Sequence, residues 1–204
     1  MRLNVVKVIR RSVALFAHHP LGLLWVLIQT FVVMLFSLGT WAGPMLVGLY
    51  AVLIRYVRDG AWQPERLWGR YTFNNLLGGV VFVLVNLAIY LVGVPSLNFH
   101  PLLNFAVLFV FSSAVTLLWF YTFQLLSEQD QPWQTAVRQG WRLVLQGGLG
   151  QHVGLILILA LLSALASSGQ NTPLLLQLLV LLIFLVFSVL LQTSAYVMLR
   201  DQPK

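Results

Sequence analysis

The residues best equipped for chemistry in this sequence are arginines. Arg55, Arg58, Arg66 and Arg70 fall in one short stretch, and Arg138 and Arg142 stand one helical turn apart in another. A guanidinium is a rigid fork of donors that matches phosphate and carboxylate geometry. In the second stretch Asp130 can cap a helix, Pro132 suits a first turn, and Trp133, Val137 and Trp141 share a neighbouring apolar face. Such segments can dock a partner protein or anionic lipid. The more common case is a plain interfacial anchor, because tryptophan belts and snorkelling arginines are general at membrane boundaries.

A second set of residues is polar but uncharged and sits in apolar surroundings. Ser188, Gln192 and Tyr196 repeat every four residues, as do Asn86 and Tyr90, and Ser112 and Thr116; Gln29 stands alone. These stripes could line a solute path, or they could be interhelical hydrogen bonds contributing about 0.6 kcal/mol each. Gly150 with Gly154, and the row Ala160, Ala164 and Ser168, read as close-packing faces.

Other chemistries are excluded or unsupported. There is no cysteine, hence no disulfide, thiolate nucleophile or Cys-based metal site. His18 and His19 would point about 100° apart on a helix, with no third ligand nearby in sequence, so no metal is expected. The acids Asp59, Glu65, Glu128, Asp130 and Asp201 all lie in connections between apolar segments. No charged residue lies deep in an apolar segment, whereas ion-coupled pumps normally place one there. No phosphate-loop, nucleophile-elbow, zincin or dinucleotide motif appears, so no cofactor and no catalytic residue is expected.

The elements that must position these side chains are apolar. The chain is 59% hydrophobic and only 8% charged, with a mean hydropathy of +0.88. Soluble domains carry roughly 25% charge. The sequence therefore predicts an all-α membrane protein, a single membrane domain over 1–204. Residues 1–20 form an amphipathic N-terminal helix, with Val5, Val8, Ile9, Val13 and Phe16 on one face and Lys7, Arg10 and Arg11 on the other. A bundle of about six transmembrane helices follows over 21–199, then a tail at 200–204. The expected spans are 21–39, 41–57, 76–94, 102–126, 149–167 and 174–199, and the second is marginal because Pro44 closely precedes Arg55.

Charge placement orients the bundle. All 12 Lys and Arg residues lie at the termini or in the connections after spans two and four. The other three connections, at 40–44, 95–101 and 168–173, have none. Because basic loops stay on the cytoplasmic side, both termini are expected there. The net charge of +7 reports this bias rather than nucleic-acid binding. A shift of 71 positions superimposes Tyr50 on Tyr121, Asp59 on Asp130, Trp62 on Trp133, Gln63 on Gln134, Gly69 on Gly140 and Gly79 on Gly150. The two cytoplasmic amphipathic segments then belong to a parallel repeat.

The order of short motifs resembles the YesL-type family of small bacterial membrane proteins over nearly the whole chain. Ser37-Leu38-Gly39-Thr40 leads through Gly43-Pro44 to Leu49-Tyr50 and then Arg55-Tyr56-Val57-Arg58-Asp59-Gly60. Later come Tyr121-Thr122-Phe123, Leu125-Leu126, Glu128-Gln129-Asp130, Pro132 and Ser194-Ala195-Tyr196. Gly39 stands where the family usually has Pro, and 65–72 lacks the family's paired phenylalanines. The resemblance implies six helices, no known catalytic residue and an accessory association with carbohydrate uptake systems. The leading expectation is a non-enzymatic accessory or scaffolding protein of the bacterial inner membrane, in contact with anionic lipid headgroups and a membrane protein partner such as a transporter. A small-solute transporter or channel is the alternative, and a lipid-handling enzyme a third reading.

Overall fold

The computed structural model describes the backbone of residues 3–96, 101–167 and 173–201, and the side chains of 3–89, 91, 109–161, 173 and 176–201. It is all-helical, with no strand among the described residues. Of the expected connections at 95–101 and 168–173, residues 97–100 and 168–172 lie outside the described residues, as does the tail beyond 201.

Helix α1 (Val5–His18) starts where the Asn4 side chain accepts the Lys7 N–H at 3.1 Å. Its inward residues are Val8 and Ser12, and the Ser12 hydroxyl lies 3.0 Å from that of Ser194. Val13, expected on the apolar face, is exposed. The small Ser12 takes the contact instead, bringing the two helices close. Pro20 then opens α2 (Pro20–Phe36), which leaves α1 at 95°. The chain reverses after α2 through Leu38 and Gly39, both left-handed, with φ of 50° and 80°. A proline, fixed near φ −65°, could not take the place of Gly39 in this turn.

Helix α3 (Ala42–Asp59) is the buried centre of the molecule, covered along nearly its whole length. Its glycines explain how neighbours come so near. A Cβ on Gly43 would fall on the Asn75 carbonyl, and one on Gly79 would fall on the Gly43 backbone. A Cβ on Gly48 would meet the Leu67 carbonyl. So α4 (Phe73–Ser96) crosses α3 backbone to backbone, and the 3₁₀ turn Pro64–Trp68 clasps it further along.

Sequence reading places one helix over 102–126; the chain instead forms α5 (Pro101–Trp119) and α6 (Thr122–Glu128). The break comes at Phe120 and Tyr121, where the Phe120 N–H reaches back only three residues, to Leu117. Both rings pack at right angles against His152. The Tyr121 hydroxyl lies 2.8 Å from His152 Nε2, while Nδ1 lies 3.0 Å from the Gly148 carbonyl. A carbonyl can only accept, so Nδ1 carries the proton and the tyrosine donates to Nε2. Helices α7 (Trp133–Gly147), α8 (Leu149–Ser167) and α9 (Leu174–Arg200) complete the chain, with α7 and α8 bent by 99° at Gly148.

Each expected apolar segment thus contains helix, but the one over 21–39 ends as helix at Phe36 and the one over 102–126 breaks at Phe120 and Tyr121. Among the described residues, Phe109–Glu128 and Leu176–Arg200 are each long and apolar enough to cross a membrane. The number rises to four if the bent pairs α1–α2 and α7–α8 are each one span. Helices of this kind are the mark of a membrane protein.

Candidate functional site

Three helices end at one place. Arg58 in the last turn of α3 donates from Nη1 to Glu128 Oε1 at the end of α6, at 2.6 Å. It also makes a forked pair with Asp201, which follows α9, at 2.6 and 2.9 Å. The second Glu128 oxygen accepts the Tyr196 hydroxyl of α9 at 2.6 Å. From α1, Arg11 donates to the Val57 carbonyl of α3 at 2.6 Å. Helix C-termini carry partial negative charge from their unpaired carbonyls, so gathering three of them calls for cations. Arg11, Arg58 and Arg200 supply these. The hydrogen bond to Asp201, and then Glu128, holds the Arg58 guanidinium above its ordinary pKa against the opposing effect of partial burial. It stays charged.

Beside this knot lies a cavity of about 150 Å³. Arg55, Arg58, Arg66 and Arg70 all line it, together with Ser127 and Glu128. The close contact of Gly48 with Leu67 positions Arg66, which is next in sequence to Leu67 and returns its Nε to the Gln63 side chain. Arg55 also reaches Asp59, one turn on, at 3.2 Å.

The second arginine segment is arranged differently. Arg138 and Arg142 are exposed, and among the described residues neither makes an ion pair. Arg142 borders a wider cleft of about 390 Å³ with Arg200 and three glutamines, Gln129, Gln139 and Gln146; Arg138 does not. Trp133 and Trp141 turn inward, half-buried against the core. Trp133 packs on Trp119 and Gly78, and its backbone N–H is accepted by the Asn74 side-chain oxygen, while the Asn74 amide donates to the Gln131 carbonyl. One asparagine thus fixes the entry to α7.

The polar stripes do not form one row. Gln192 accepts the Tyr50 hydroxyl at 2.6 Å, joining α9 to α3, and Tyr196 belongs to the knot. Asn86 is exposed and bonds back to Phe82 of its own helix. Gln29 and Ser188 are half-buried, and the side chain of Tyr90 lies outside the described residues. His19 stacks edge-on against Trp62, and no group of three His, Asp or Glu suited to a metal occurs among the described residues.

Glu128, Asp201 and Arg11 are the site residues that sequence reading did not single out. Their signal was weak but present: charges at the ends of apolar helices expected to finish on the same side. The chain matches no family model, and neither a curated protein nor a solved structure is similar to it.

Proposed function

We propose that this chain is a non-enzymatic accessory or scaffolding protein of the bacterial inner membrane, acting through a cytoplasmic arginine face on anionic headgroups and a membrane protein partner. The observation that carries this reading is the convergence of Arg55, Arg58, Arg66 and Arg70 on one cavity, where three helix ends meet. In this reading α2, α3, α4, α5–α6, α8 and α9 are six spans, both termini are cytoplasmic, and the two arginine segments belong to parallel repeats. The resemblance to the YesL-type family adds the link to carbohydrate uptake. Cross-helix bonding of Gln192 and Tyr196 favours packing over conduction for that stripe.

Mild-detergent purification and vesicle reconstitution test the proposal together. The wild type is expected to retain a membrane protein partner and to give no saturable solute flux. Replacing Arg138 and Arg142 by Ala should weaken retention while costing at most about 1 kcal/mol of stability, as for other exposed charges. Saturable flux by the wild type, abolished by Gln192→Leu, would replace the accessory reading with a transporter.

A further inference from the structure

The four arginines of the cavity are not equivalent. Arg58 is engaged by Glu128 and Asp201, and Arg55 by Asp59. Arg66 meets only the neutral Gln63 side chain, and among the described residues neither Arg66 nor Arg70 pairs with a carboxylate. Both are half-buried. Glu128 also borders the cavity, but its oxygens are already taken, one by Arg58 and the other by Tyr196. The Ser127 hydroxyl donates to the Gln124 carbonyl. The wall therefore keeps two guanidiniums without a counter-charge, in a recess where water screens them less than at an open surface.

We propose that this cavity is a phosphate-binding site, with Arg66 and Arg70 as its principal ligands. A space of about 150 Å³ that opens to solvent admits a phosphate group, with room for the molecule that carries it to project out. Two uncompensated forks suit a dianionic monoester better than a diester. The monoester can belong to a lipid headgroup or to a soluble metabolite. This inference rests on the arginine face proposed above and gives it a ligand.

Calorimetric titration of the purified full chain in neutral detergent separates these outcomes. The probes are inorganic phosphate, glycerol 3-phosphate and short-chain phosphatidic acid, with phosphatidylcholine as the diester control. Saturable one-site binding of the soluble phosphates supports the site with a soluble source; saturable binding of phosphatidic acid alone supports it with a headgroup source. In either case Arg66→Gln with Arg70→Gln should weaken binding at least about tenfold, Lys at both positions should restore part of it, and Arg138→Ala with Arg142→Ala should leave it unchanged. Absence of saturable binding to every probe overturns the proposal. So does equal weakening by the 138/142 pair, which would mean diffuse attraction. Vesicle flux decides the accessory reading separately, because a phosphate site can be absent in a chain that carries no solute.

Discussion

Tyr50 and Tyr121, 71 positions apart, both send a buried hydroxyl across to another helix, yet their surroundings differ in tightness. Around Tyr50, α3 is one unbroken helix clasped by backbone contacts at Gly43, Gly48 and Gly79. Around Tyr121 the helix breaks, and Gly150, which the same shift aligns with Gly79, faces open space within 4 Å. Polar groups differ likewise. Gln124 and Thr122 in α6 are buried with side-chain atoms that find no partner, whereas the aligned positions in α3 are Leu53 and Ala51. Matching signposts thus do not give matching packing, and the contrast is local, since at the aligned Gly69 and Gly140 it is the second that lies closer to its neighbours. Small residues set how near backbones come, and buried polar groups set how well the gap is filled.

The sharpest way to break this contrast is to add one methyl group to each aligned glycine. Gly79→Ala has no space between the α3 and α4 backbones, so it is expected to destabilise by about 3 kcal/mol or to prevent folding. Gly150→Ala should be neutral or stabilising by up to ~1 kcal/mol, since alanine favours helix and nothing stands in its way. Thermal unfolding in detergent reads both, and equal effects would dissolve the contrast.

The charge knot ties α3 to the ends of α6 and α9. Arg58→Ala leaves Glu128 and Asp201 without their cation, and a loss of about 2 kcal/mol is expected for these partly exposed, charge-assisted bonds. Removing Asp59, whose pair with Arg55 is about half exposed, should cost only ~0.3–0.5 kcal/mol. One expected change is a gain. Gln124→Leu, which copies the residue at the aligned position 53, removes two unpartnered buried atoms and should raise stability by about 1 kcal/mol. A lower unfolding temperature would mean that Gln124 has a partner that only the membrane setting supplies.

How much of this was legible in the sequence depends on the range of the interaction. Hydropathy marks α8 at Leu149–Ser167 and α9 from Leu174 on, because helix in an apolar run is a local property. The break after the first span was expected at 40–44, whereas the chain reverses earlier, at Leu38 and Gly39, and α3 already begins at Ala42. The break at Phe120 and Tyr121 is not local, since it follows from packing on His152, some thirty residues on. The Arg55–Arg70 stretch was visible as a cluster of charge, but its closure into a cavity depends on Glu128, 70 residues beyond Arg58. Trp133 shows another long-range effect. Its type and setting suggested an interfacial anchor or docking residue, while its close approach to Gly78 on α4 could not be read from its own stretch.

The distance between Arg58 and Asp201 along the chain has a consequence in time. They are 143 residues apart, which a ribosome adding about 5–20 residues per second covers in roughly 7–30 s. Throughout that interval Arg58 is already part of the chain, while the carboxylate that forks around it does not yet exist. Closure of the forked pair can therefore only follow synthesis of α9, and until then Glu128 is the one carboxylate of the knot that Arg58 can meet.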